Sequence, residues 1–210
     1  MADERPAGEF SAWLAELQGA LRGERGSDVP CAGCTACCTS SQFVHIGPDE
    51  TATLARIPAA LLFPAPGLPR GHVVLGYDER GHCPMLIDGQ CSIYEHRPRT
   101  CRTYDCRVFP AAGIEADKPL IAARARQWRF DHPGPGDRVA HDAVQAAAAY
   151  LAADAGGPAN PTQRAVLAVE IHDAFLGPDD VTGETVVITP GPGTVRAAIA
   201  RAGAGAPPPR

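Results

Sequence analysis

Long apolar runs are missing from this chain: no stretch approaches the roughly 18 residues that a membrane-spanning helix requires. The opening, Met-Ala-Asp-Glu-Arg-Pro-Ala-Gly-Glu-Phe, lacks the basic region and apolar segment of a secretory signal. These absences point to the reducing cytoplasm and to no membrane partner. Net positive charge is missing too: at −5, the balance gives no reason to expect a nucleic-acid-binding surface. There is no Gly-rich phosphate loop ending in Lys-Ser/Thr, no G-x-G-x-x-G after a strand, no G-x-S-x-G and no H-E-x-x-H. The chemistries those motifs serve have no carrier here. No internal repeat is visible.

Cysteine is sparse for a disulfide scaffold, yet concentrated. Eight in 210 residues is about 4%, under the roughly 8–10% of disulfide-built proteins. In a reducing compartment, clustered cysteines are metal sites more often than disulfides. Cys31, Cys34, Cys37 and Cys38 form C-x2-C-x2-C-C, and Cys83, Cys91, Cys101 and Cys106 form a second, wider group. The thiolate is a strong, soft metal ligand, and C-x2-C is the shortest spacing that lets one turn offer two thiolates to one ion. All eight are candidate ligands. They can fill two four-coordinate sites, or one larger cluster with cysteines to spare. A metal ion is therefore the expected partner.

The length suits one domain, and the 45% apolar fraction supports a packed core, while 22 glycines and 21 prolines imply much irregular backbone. Residues 1–8 read as disordered. A single metal-binding domain is expected over 9–200, with a cysteine-cluster core at 31–110 and a helical part at 111–200, followed by a disordered tail at 201–210. Phe10, Trp13, Leu14, Leu17 and Leu21 recur at helical spacing, which makes a helix over 9–22 with one apolar face. Gln42–Ile46 reads as a strand, Asp49 as the cap of a helix through Ile57, 58–72 as loop and His72–Tyr77 as a strand. Asp88-Gly89 between Met85-Leu86-Ile87 and Gln90–Tyr94 is the signature of a two-residue type I′ hairpin. Its register leaves Cys83 either just before the strand or on the face opposite Cys91. Pro98 opens a helix over Cys101; Cys106 lies about 140° further round an ideal helix, so the two converge only if that helix ends near Asp105. Lys118–Arg129 fits either helix or strand. Further helices are expected over 142–154, 161–176 (capped by Asn160) and 194–201. Gly191-Pro192-Gly193 reads as a turn, and Thr185–Thr189 as a buried strand. The fold class is α+β, mostly helical, with short antiparallel strands and much loop around a cysteine-rich metal core.

If the first group is helical, Cys31, Cys34 and Cys38 share a face at i, i+3 and i+7, leaving Cys37 turned away. Neighbouring side chains seldom reach one ion together, so the pair is expected to be unequal. In the second group the sequence runs Cys83-Pro-Met-Leu-Ile-Asp-Gly-Gln-Cys91-Ser-Ile-Tyr-Glu-His-Arg-Pro-Arg-Thr-Cys101-Arg. This pattern, with the leading C-x2-C-x2-C-C, resembles the CxxCxxCC cysteine-cluster family (YkgJ-like). The resemblance implies a zinc- or iron-chelating domain over roughly Cys31 to Arg107, with Cys106 just beyond the core motif. Flagellin lysine methylases carry a related pattern, which keeps an enzymatic role open.

Arg97, Arg99, Arg102 and Arg107 crowd this segment and could offset thiolate charge, or hold an anionic substrate. His82 and His96 neighbour ligand cysteines and are substitutes for a Cys3His site; the other histidines carry no spacing argument. Tyr94 reads as packing, and Trp128-Arg129-Phe130 as core cover. The leading function is a cytoplasmic metal-binding protein coordinating zinc or iron, an iron–sulfur cluster included, through its two cysteine clusters. The alternatives are a metal-dependent or iron–sulfur enzyme modifying a protein side chain, and a zinc-stabilised interaction module.

Overall fold

The computed structural model describes residues 4–24, 29, 31 and 33–205. Its first element contradicts the expected disorder over residues 5–8; residues 1–3 of that expectation lie outside the described residues. Strand β1 (Arg5–Glu9) leads directly into helix α1 (Phe10–Leu21) and pairs in parallel with β7 (Trp128–Asp131). Pro6 and Gly8 made this segment read as irregular. The strand holds because Ala7 is taken up as a bulge between Pro6 and Gly8, with its side chain buried and the Arg5 amide donating to the Gln127 carbonyl at 2.8 Å. The parallel pair is also a departure from the purely antiparallel strands expected.

Helix α1 buries the face read from its periodicity, through Phe10, Trp13, Leu14 and Leu17. It packs on α6 (Pro135–Ala153), which in turn packs on α4 (Val108–Ala112) and α7 (Pro161–Ile171). Ala143, Ala147, Ala165 and Ala168 are fully buried where these helices meet. Such small side chains let helix backbones approach closely, so the core is dense without many large residues. Asp137, in the first turn of α6, accepts the Gly134 amide at 2.9 Å and the Ser11 amide at 3.0 Å, tying the starts of α1 and α6 together. Helix α7 begins as its Asn160-Pro161 pair predicts, with the Asn160 side chain accepting the Gln163 amide at 3.0 Å. Asn160→Ala is expected to cost about 1 kcal/mol, seen as a lower urea midpoint at unchanged slope. Beyond a 3₁₀ turn at His172–Phe175, α8 (Pro192–Gly205) closes this first core with Val195 and Ala198. It starts within the expected Gly191–Gly193 turn and runs into the tail expected to be disordered; residues 206–210 lie outside the described residues. The antiparallel pair β8 (Leu176–Pro178) and β9 (Thr185–Val187) is peripheral. Val187 and Ile188 are each 38% exposed, so the buried strand expected at 185–189 is a surface ribbon.

A second, smaller core lies on the antiparallel sheet β2 (Val44–Ile46), β4 (Val73–Leu75) and β3 (Leu62–Pro64), in that order. Strand β3 and a 3₁₀ turn at Ala59–Leu61 occupy the segment expected as loop, because Leu62 and Pro64 find partners in Leu75 and Val73. Helix α2 (Thr51–Leu54) has no side-chain cap from Asp49, which pairs instead with Arg99. Ile46 and Leu75 are buried here with Ile57, Met85 and Ile93. The hairpin β5 (Leu86–Ile87) and β6 (Gln90–Cys91) is as predicted: Asp88 and Gly89 have φ of 50° and 75°, and Leu86 faces Cys91. Cys83 falls before the strand. Helix α3 (Arg99–Thr103) ends two residues short of Asp105, and α5 (Pro119–Ala125) precedes β7. Among the described residues no helix is long and apolar enough to cross a membrane.

Candidate metal centre

The first cysteine group is not helical, and this overturns its expected helical phase. Cys31 and Cys34 flank a tight turn closed by the Cys34 amide on the Cys31 carbonyl at 2.7 Å. Gly33 sits in that turn at φ +68°, a conformation that favours glycine. Cys37–Thr39 is a single 3₁₀ turn, secured by the Ser40 hydroxyl on the Ala36 carbonyl and the Thr39 hydroxyl on the Thr35 carbonyl. A 3₁₀ turn advances about 120° per residue, so the adjacent side chains of Cys37 and Cys38 diverge.

They meet different neighbours. Cys37 packs against the first, with Ala36 and Tyr104. Together with Cys31, Cys34 and Cys106 it lines a cavity of about 20 Å³, whose remaining wall is Val29, Ala36, Tyr104, Ile121, Arg124 and Trp128. The Cys38 carbonyl accepts the Cys83 amide at 2.7 Å, at the edge of the second core. Cys83 and Cys91 both pack on that core. The electrostatics lean the same way, although Cys38 also acts on Cys37, and Cys34 and Cys31 also act on Cys38. Burial pushes the Cys37 thiol far up, and Cys106 is the neighbouring sulfur that adds most to the shift. Cys38 is pushed up to about 11 by burial and then by Cys83 and Cys91. Cys101, exposed as a residue, has its thiol pushed up to about 12 by the protein around it and by Cys38, Cys83 and Cys91. Burial raises Cys106 to about 11 against the opposing hydrogen bond from Trp128. Burial also raises Cys31 and Cys83.

Two sets result, each mixing the two sequence groups. The inner set is Cys31, Cys34, Cys37 and Cys106; the outer set is Cys38, Cys83, Cys91 and Cys101. Cys101 and Cys106 fall in different sets. The correction to the expected phase is therefore complete: Cys37, not Cys38, accompanies Cys31 and Cys34. Among the described residues no three Cys, His, Asp or Glu side chains are close enough to hold a metal ion as they stand. Two other observations suit an ion: the donors are all soft sulfurs, and the inner cavity is about the size of one water or ion.

Cys106 is fixed from both sides. Trp128 donates its indole N–H to Cys106 Sγ at 3.2 Å. The preceding Asp105 is buried and accepts Trp13 Nε1 at 2.8 Å and Arg107 Nε at 2.9 Å, while Arg107 Nη1 donates to the Ala7 carbonyl at 3.1 Å. Arg107 is thereby committed to Asp105, and Arg99 to Asp49 at 2.5 Å. Of the four arginines expected to offset thiolate charge, Arg97 is the one that favours the ionised form of both Cys31 and Cys101. Its guanidinium also stacks on Tyr94 at 3.9 Å, so Tyr94 stays half-exposed outside either core. His96 lines a separate polar cleft with Asp49, Glu95 and Arg102. The remaining histidines include two stacked pairs, His45 with His72 and His132 with His141, bonded ring to ring at 2.9 and 2.8 Å.

Tyr104 and Arg124 were not picked out from the sequence: Tyr104 stands between Cys101 and Cys106 but carries no spacing argument, and Arg124 stands outside every cysteine motif. The one available signal was Arg124 itself, a charge on the apolar stripe of Ile121 and Ala125 at helical spacing. No curated protein and no solved structure matches the chain. Residues 30–125 contain all eight cysteines, take in Arg124 and stop short of Trp128; this segment matches the family model CxxCxxCC, "Putative zinc- or iron-chelating domain".

Proposed function

We propose that the protein binds two metal ions, zinc or iron, one through Cys31, Cys34, Cys37 and Cys106 and the other through Cys38, Cys83, Cys91 and Cys101. The observation that carries this reading is that Cys37 packs on the first core and lines the cavity of Cys31, Cys34 and Cys106, while Cys38 is bonded through its carbonyl to Cys83. Four thiolates around a divalent ion form a closed tetrahedral shell with no position left for water or substrate. Such an ion supplies cross-linking rather than catalysis. The inner ion ties the 31–37 turn to Cys106 on the helical core, and the outer one ties Cys38 to the hairpin and α3. The small inner cavity favours a single ion over an iron–sulfur cluster. The role is thus chelation that organises the fold, and the enzymatic alternative loses its open coordination site.

Metal-to-protein ratios after anaerobic purification test this. The wild-type chain is expected to carry about two ions, Cys37→Ser and Cys38→Ser about one each, and the double variant none. Loss of all metal from either single variant would mean one shared cluster. An absorbance near 400 nm that bleaches on reduction would assign that cluster as iron–sulfur.

A further inference from the structure

Arg124 is buried, 9% exposed, on the inward face of α5 beside Ile121 and Ala125. A guanidinium removed from water needs a counter-charge, since its desolvation costs several kcal/mol. No carboxylate takes that place among the described residues: the ion pairs there leave Arg124 out. Nη1 donates to the Gln127 side chain at 3.1 Å, and the guanidinium carbon lies 5.0 Å from the Trp128 ring centroid. Nη2 is buried with no hydrogen-bond partner. What Arg124 lines is the cavity of Cys31, Cys34, Cys37 and Cys106. From the same wall Trp128 already donates to Cys106 Sγ.

Resting on the two-ion reading, we infer that Arg124 is a positioning residue of the inner site, whose free Nη2–H and positive charge are directed at its thiolates. Four thiolates and one divalent ion leave a net charge of −2 in a site walled by Ile121, Val29 and Tyr104. One buried cation halves that charge, and its N–H draws electron density from sulfur in the same sense as the Trp128 indole. The cation beside the outer set is Arg97, which is only partly buried and lies over the exposed ring of Tyr94 rather than inside the site. The two sites should therefore differ in affinity for one chemical reason.

The test uses Co²⁺ in a Cys38→Ser background, which leaves the inner set alone intact. Arg124→Met and Arg124→Gln are each expected to weaken Co²⁺ binding at least tenfold, measured by chelator competition. Both should also move the sulfur-to-cobalt charge-transfer band to longer wavelength, because a sulfur that has lost a donor gives up its electrons more easily. Arg124→Lys should recover most of the affinity. A merely structural arginine would not move the band. Arg124→Gln keeps an amide for Gln127 and serves if the methionine variant fails to fold. A folded variant of either kind with unchanged affinity and band overturns the role of Arg124 and leaves the two-ion reading standing. If Cys38→Ser binds no Co²⁺, the two-ion reading itself fails and takes this role with it.

Discussion

Replacing Asp105 with alanine is expected to destabilise the protein by about 3–5 kcal/mol, the range for stripping one partner from a buried ion pair. The Asp105 side chain is 1% exposed and the Arg107 side chain facing it is 8% exposed. Three groups depend on Asp105: the Trp13 indole of α1, the Arg107 side chain and the Arg107 amide. In the variant Arg107 keeps only the Ala7 carbonyl, so a charge remains in the core without a counter-ion. Asp105→Asn, which keeps the shape and part of the bonding, should lose less. Urea unfolding of both variants reads the effect. A loss under about 1 kcal/mol in the alanine variant would mean that water reaches Arg107 and the pair is not truly buried. Metal content should fall as well, since Cys106 hangs from this anchor while the outer set does not.

Removing metal is expected to have the other large effect, and a regional one. The second core rests on six buried apolar side chains: Val44, Ile46, Ile57, Leu75, Met85 and Ile93. Its strands are two or three residues long. So small a cluster on such short ladders falls below what folds unaided, and structural zinc contributes on the order of 10–16 kcal/mol in comparable small sites. The first core is larger and needs no sulfur chemistry to hold α6 against α7. A chelator should therefore abolish amide-exchange protection in β2, β4 and the hairpin while α6 and α7 remain protected. The thermal transition should broaden or split. If all metal leaves and protection persists throughout, the ions do not organise the fold.

Local chemistry was legible in the sequence, and long-range placement was not. Asp88-Gly89 specified its hairpin because both residues tolerate positive φ, a property that needs no tertiary context. Asn160-Pro161 specified a helix start for the same kind of reason. The eight cysteines announced a metal, but their sorting depended on Ser40 and Thr39 bonding back to carbonyls and closing a 3₁₀ turn where a helix was assumed. It depended also on Cys106 being carried by the helical core, far from its sequence neighbour Cys101 in function. Arg5–Glu9 was unreadable because its strand exists only through β7, more than a hundred residues away. Arg124 belongs to the same class: its surroundings come from four separate stretches of chain.

Cys37 and Cys38 share one peptide bond, and that plane is rigid. Under the proposed ligand sets, an ion captured by the inner sulfurs fixes the backbone of Cys37 and so sets where the Cys38 side chain begins. The conformational freedom that the outer site must give up is then already spent. Loading should accordingly be cooperative, with the second ion bound more tightly than its isolated ligands would allow. Communication between the two sites needs no moving domain, only the short stretch of backbone that both ligands share.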